Sequence, residues 1–285
     1  MPDPVIYAIC LALPSRTGLT IRSLRSLMRQ TVSNRLQALL VSRSWEEAYD
    51  VLDHLSIRGH NMNLRPLAEP GAPPARLLQL AVSAVRRDAS GSDVIVLWDD
   101  DNVSHPLRLE RQLDCVGPRL PCYLSSGMWR FYDTDELFIC DLEVPQQPLL
   151  TRIIPSTMMV RVEDLRDTDL LWGGRGSPTA AVGRSVQRRG NSHRLPGEFA
   201  LVMVGVRGDN AQGYEYHREL VSAHAAGPCS GLWSAGRCCA GGWTITRSRP
   251  AVCGCAGLME WLSAIPWPRR RRICPTWGSR RASTA

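Results

Sequence analysis

Val94-Ile95-Val96-Leu97-Trp98-Asp99-Asp100-Asp101-Asn102-Val103-Ser104-His105-Pro106-Leu107-Arg108 holds the transition that decides the fold. Five apolar residues run without alternation into three carboxylates, and a helical pattern opens after Ser-His-Pro. A short continuous apolar run suits a strand covered on both faces, as at the centre of a parallel sheet. Sheets of that kind take ligands at the carboxyl ends of their strands, where these carboxylates stand. Adjacent like charges repel, and more strongly where water is excluded, so the triplet demands either a cation or full solvation. Asp99 and Asp101 form an Asp-x-Asp pair, an oxygen donor set suited to a hard divalent ion. The other reading open here is a solvated acidic loop at the start of the next helix.

Outward from this stretch the pattern alternates. Residues 76–87 read as a helix with Leu77, Leu80, Ala81 and Ala84 on one face, behind the breaker Pro70-Gly71-Ala72-Pro73-Pro74. Residues 63–67 and 36–41 read as strands, and Ser44-Trp45-Glu46-Glu47 opens a helix with Ser44 as its cap. Residues 20–30 form another helix, with Ile21, Leu24, Leu27 and Met28 at helical spacing and Arg22, Arg25 and Arg29 at other positions. Residues 5–13 form the first buried strand. Strand and helix in strict turn predict an α/β fold with a mostly parallel sheet, helices on both faces and right-handed crossovers. Beyond Pro121 the signal weakens. Strands are expected at 128–132 and 137–142, a short apolar run at 156–162, a late strand at 199–206 and a helix at 214–222.

Charge divides the chain in two. All 34 basic residues are Arg, and the net charge is +7. From Ala225 onward there are nine Arg and one acid, a balance of +8 that leaves the preceding part at −1. The body therefore lacks the basic face of a nucleic-acid binder, and no nucleic-acid partner is expected. Residues 1–224 form the expected α/β domain. Residues 225–285 form an atypical Cys-, Trp- and Arg-rich tail, expected to be poorly ordered, holding six of the ten Cys and five of the nine Trp. Cys238-Cys239 and Cys253-Gly254-Cys255 fit no usual zinc spacing. Met1-Pro2-Asp3-Pro4 lacks a basic leader, which predicts reduced thiols in a cytoplasmic setting. Arg269-Arg270-Arg271-Arg272 offers a peripheral contact with an anionic membrane face.

The stretch from Val94 to Leu113 resembles the family 2 glycosyltransferase signature, in which an apolar strand meets Asp-x-Asp, then Ser-His-Pro and an Arg/Glu helix. Leu13-Pro14-Ser15-Arg16-Thr17, the helix after it and its closing Arg29-Gln30-Thr31 are similar to that family's opening loop and first helix. Ile154-Pro155-Ser156-Thr157-Met158-Met159-Val160-Arg161 looks like its acceptor-side strand, and Val206-Arg207-Gly208-Asp209-Asn210 like its late turn. The resemblance implies a GT-A, Rossmann-like fold and a nucleotide-sugar donor. It also implies a Mg²⁺ or Mn²⁺ ion, a glycan or lipid-linked acceptor in polysaccharide biosynthesis, and inversion of the anomeric centre. On that basis Pro14, Arg16, Asp99 and Asp100 border the nucleotide, and Asp99 and Asp101 serve the metal. His217 is a candidate extra ligand, and His105 shapes the metal loop.

Two places depart from the family pattern. The second strand ends Val41-Ser42-Arg43, where the family carries an acid that holds the donor base. The usual site of the catalytic base reads Trp172-Gly173-Gly174-Arg175-Gly176-Ser177 and holds no carboxylate; Asp167 and Asp169 are near in sequence and could substitute, and Asp169 is taken as the candidate base. The alternatives are a GT-A domain that binds nucleotide or glycan without turnover, and a nucleotidyltransferase, for which Pro14-Ser15-Arg16-Thr17-Gly18 is a poor triphosphate loop.

Overall fold

The computed structural model describes residues 3–13, 16–55, 63–115, 122–134, 136–142, 154–165, 193–195, 202–207 and 214–228. Four strands, β1 (Ile6–Leu11), β2 (Leu36–Ser42), β3 (Asn63–Ala68) and β4 (Val94–Asp99), are joined through helices α1 (Thr17–Met28), α2 (Trp45–Leu55) and α3 (Pro74–Asp88). β1 pairs in parallel with both β2 and β4, and β2 with β3. The two-residue period of the strands explains why the runs are apolar throughout. Ile6, Ala8, Cys10, Leu40, Val96 and Trp98 face one way, against Leu24 and Leu27 of α1 and Val51 of α2. Tyr7, Ile9, Leu39, Ile95 and Leu97 face the other way, against Leu77, Ala81 and Val85 of α3. Helices thus cover both faces, as the sequence predicts.

Local chemistry moves the helix ends slightly. α1 begins three residues before the expected start, where the Leu19 and Thr20 amides both donate to the Arg16 carbonyl at 2.9 Å. α3 starts at Pro74, since a proline at the first turn loses no helical hydrogen bond. The Ser44 hydroxyl accepts from the amides of Glu46 and Glu47, the cap expected for α2. Pro66 is tolerated in β3 because that strand is the edge of the sheet.

Three further strands complete this seven-stranded sheet, in the order β10-β6-β9-β4-β1-β2-β3. They are β6 (Cys122–Leu124), β9 (Met159–Arg161) and β10 (His193–Leu195), and β9 runs antiparallel to β4. A second sheet has the order β12-β8-β7-β11-β5. Its members are β5 (Val103–Ser104), β7 (Ser126–Phe131), β8 (Glu136–Asp141), β11 (Val202–Val206) and β12 (Ala225–Pro228). Helices α4 (Arg108–Cys115) and α5 (Tyr214–His224) complete the described elements. β12 begins where the tail was expected to begin and pairs antiparallel with β8. No helix among the described residues is long and apolar enough to cross a membrane.

Candidate functional site

The acidic loop links the two sheets through β4 and β5. Asp99 is the last residue of β4, and β5 starts at Val103 and pairs with β11. Only Asp100, Asp101 and Asn102 lie between. Asn102 fixes this short link from both sides, donating to the Ser156 hydroxyl at 2.6 Å and accepting from the Gly205 amide at 3.3 Å.

The two sequence motifs meet here. Gln30, at the end of α1, donates to the carbonyls of Ser26 and His105 and accepts from the Leu109 amide. The Thr31 amide donates to the Pro106 carbonyl. The closing Gln-Thr therefore clasps the Ser-His-Pro turn. His105 shapes that turn as expected, its Nδ1 accepting from the Leu107 amide at 3.2 Å. Below it Arg108 is fully buried. It donates to the Ser104 hydroxyl, the Gln112 side chain and the Ser156 carbonyl, and lies 4.4 Å from the Trp98 ring. Burial lowers its pKa to about 9, so it remains a cation at neutral pH.

The three aspartates separate into different environments. Asp99 is partly exposed, and its carbonyl accepts from the Ser23 hydroxyl. Asp100 is buried and turned toward the first loop, accepting from the Leu13 amide and from Arg16 Nη1, both at 3.2 Å. Asp101 is also buried and takes a second hydrogen of the same nitrogen, again at 3.2 Å. Burial raises the pKa of Asp100 despite Arg16. Burial and then the charges of Asp100 and Asp99 raise that of Asp101 well above the carboxylate range. Burial outweighs Arg16 at both carboxylates, and a divalent ion would relieve the repulsion among the three acids.

Arg22 is a residue that the helical pattern of α1 leaves with the polar face, beside Arg25 and Arg29. The fold buries it, its guanidinium lying 4.8 Å from the Tyr132 ring and donating to the Tyr132 hydroxyl. Tyr132 in turn borders the acidic loop through Gly205. A Cβ at Gly205 would stand 2.6 Å from the Asp101 carbonyl oxygen and 2.8 Å from Tyr132 Cε2. Backbone cannot yield as a flexible side chain does, so Gly205→Ala is expected to cost about 1–3 kcal/mol in a urea melt. An unchanged midpoint would show that the loop is not packed against β11 as described.

His217 lies on α5 and is 8% exposed, with Nδ1 unpaired among the described residues. Burial lowers its pKa to about 4, so it is neutral. The described residues bring together no group of three or more His, Cys, Asp or Glu able to hold an ion, so His217 and the aspartates do not form one. The burial has a consequence for stability. Between pH 6.5 and 4 the unfolded state binds a proton at His217 that the folded state refuses. Stability is therefore expected to fall as pH drops through that window, by up to about 3 kcal/mol. His217→Gln is expected to flatten that slope. An equal slope in both chains would rule the ring out as its source.

Pro14 and Asp169 lie outside the described residues, as do residues 172–177, positions 208–210 of the late turn, and everything after residue 228. Arg43 follows β2 with its Nε buried and unpaired among the described residues. A cavity of about 110 Å³ opens at the other end of the strands, beside Tyr7, Gln37 and Asn63, away from the acidic loop.

Neither family models nor curated protein sequences match this chain. Solved structures do. S. aureus TarS 1-349 in complex with UDP-GlcNAc is similar with a TM-score of 0.52 and 13% identity, over 73% of this chain and 60% of that one. The mannosyltransferase PcManGT from Pyrobaculum calidifontis, in complex with GDP-Man and Mn²⁺, has a TM-score of 0.51 and 14% identity, over 78% and 62%. This chain thus spans about three fifths of the length of those solved chains. The likeness is one of fold, and it defines the class: a GT-A-like glycosyltransferase fold, with a Rossmann-like, mostly parallel sheet.

Proposed function

We propose that the chain is a family 2 glycosyltransferase, moving a sugar from a nucleotide-sugar donor to an acceptor hydroxyl with inversion at the anomeric carbon. The observation that carries this reading is the charge-dense Asp99-Asp100-Asp101 loop, held against Arg16 at the carboxyl ends of β1 and β4 in a GT-A-like sheet. The donor class is taken from the solved neighbours, which hold UDP-GlcNAc, UDP or GDP-Man.

Asp99 and Asp101 would hold the Mg²⁺ or Mn²⁺ ion. Their hard oxygens and adjacent negative charge fit it, and such ions commonly take one or two carboxylates and complete their shell with phosphate and water. When bound, the ion offsets charge developing on the departing diphosphate. Asp100 accepts from the Leu13 amide and from Arg16, and Arg16, with Pro14, is proposed to border the nucleotide. In the transfer, the acceptor oxygen bonds to the anomeric carbon as the bond from that carbon to the diphosphate oxygen breaks. The acceptor proton passes to a carboxylate, for which Asp169 is proposed. The acceptor class is a glycan or lipid-linked hydroxyl in polysaccharide assembly. The proposed location is cytoplasmic, with Arg269–Arg272 against an anionic membrane face.

The absence of a carboxylate from residues 172–177 favours a second reading, a domain that binds nucleotide or glycan without turnover. One experiment separates the two. Thermal stabilisation is measured with a panel of nucleoside diphosphates, with and without Mn²⁺. Release of diphosphate from the matching sugar nucleotide is then followed for the original chain and Asp169→Asn. A metal-dependent shift with release that the variant loses supports the enzyme. A shift without release supports the binding domain, and no shift from a folded chain sinks both.

A further inference from the structure

We infer that Arg16 is a built-in counter-cation of the acidic loop: it gives up Asp101 when a divalent ion binds and passes to the diphosphate of the donor. The inference rests on the proposed donor site and adds a property to it, namely that the ion binds weakly until the diphosphate arrives.

The geometry places one nitrogen between two acids. Arg16 Nη1 lies 3.2 Å from Asp100 Oδ1 and 3.2 Å from Asp101 Oδ2. That nitrogen carries two hydrogens, one for each carboxylate. Arg16, Asp100 and Asp101 are each less than a tenth exposed, so water screens this contact little. An ion ligated by Asp101 would share that carboxylate with the Arg16 guanidinium, and two cations on one buried carboxylate repel. Arg16 must therefore move away from Asp101 or weaken the ion's hold.

A destination is at hand. Arg16 sits at the head of α1, one residue before its first turn. Among the described residues the space beside Gly18 in that turn is open, with nothing within 4 Å of where a Cβ would stand. A guanidinium binds phosphate oxygens in the same forked manner as carboxylates, so the exchange keeps its donors satisfied. Asp100 also retains the Leu13 amide when Arg16 leaves, so the loop is not abandoned.

The test is Mn²⁺ binding to the full chain, read by calorimetry without nucleotide and then with saturating nucleoside diphosphate. Arg16→Gln is expected to bind Mn²⁺ alone about tenfold more tightly than the original chain, the scale of one hydrogen bond to a charged group. Adding Asp101→Asn to that variant is expected to abolish the gain. Reciprocal linkage requires the diphosphate to tighten Mn²⁺ binding more in the original chain than in Arg16→Gln. Arg16→Lys, whose compact ammonium lacks the planar fork, is expected to fall between the two and serves if Arg16→Gln does not fold. Mn²⁺ binding in either variant that is no tighter than in the original chain overturns the inference. If the original chain still shows its Mn²⁺-dependent nucleotide shift, the inference alone fails. If that shift is absent too, the proposed function fails with it.

Discussion

Asp101→Ala is expected to abolish Mn²⁺-dependent stabilisation by the cognate nucleoside diphosphate while leaving the ligand-free chain as stable as before. The first half follows from the proposed ligand role. At a hundredfold excess over the dissociation constant, lost binding removes about 2.7 kcal/mol of stabilisation. For a chain of this size that is a shift on the order of 5–10 °C. The second half follows from the electrostatics. Asp101 is buried beside two like charges, and Arg16 offsets them in part. Removing a destabilised carboxylate relieves repulsion, so the ligand-free midpoint is expected to hold or rise. A scan of both chains with and without ligand checks the two halves together. Persistence of the metal-dependent shift in the variant would show that Asp101 does not serve the ion.

Arg108→Met is expected to lower stability by about 3–5 kcal/mol, a large part of the total of a typical domain. The side chain is 1% exposed and ties β5, α4 and the Ser156 carbonyl together beneath the acidic loop. Methionine fills much of the volume but leaves buried acceptors without donors, each at about 1–3 kcal/mol. Arg108→Lys keeps the charge and is expected to recover only part of the loss, because one ammonium cannot span the same acceptors. Urea melts of the three chains order them. A loss below about 1 kcal/mol for Arg108→Met would mean that the buried cation is nearly neutral in worth, as some buried ionic groups are.

The first half of the fold was legible because its signals are local. Continuous apolar runs identified β1, β2 and β4 as strands covered on both faces, and helical spacing identified α1 and α3. The second sheet was far less legible. β5 has only two residues, and it counts as a strand solely because Val202 and Met203 lie opposite it, about 100 residues later. β9 reads as an apolar run, but nothing in it announces an antiparallel partner in β4. Arg22 was misplaced for the same reason. Its position on α1 looks polar by period, and only Tyr132, 110 residues away, makes it a buried one.

By itself the sequence determined the α/β alternation, the acidic triplet at a strand end and the motif pair on either side of α1. Each depends on the spacing of neighbouring residues, which a chain carries before it folds. Tertiary structure alone decided the division of labour among the aspartates. Asp99 stays partly exposed, Asp100 braces the first loop and Asp101 shares Arg16, although the three are identical and adjacent. Their difference arises from the direction in which each carboxylate leaves the turn between the sheets. It also depends on a guanidinium brought from 84 and 85 residues away. Burial and pairing of charge are properties of that meeting, and no local pattern encodes them.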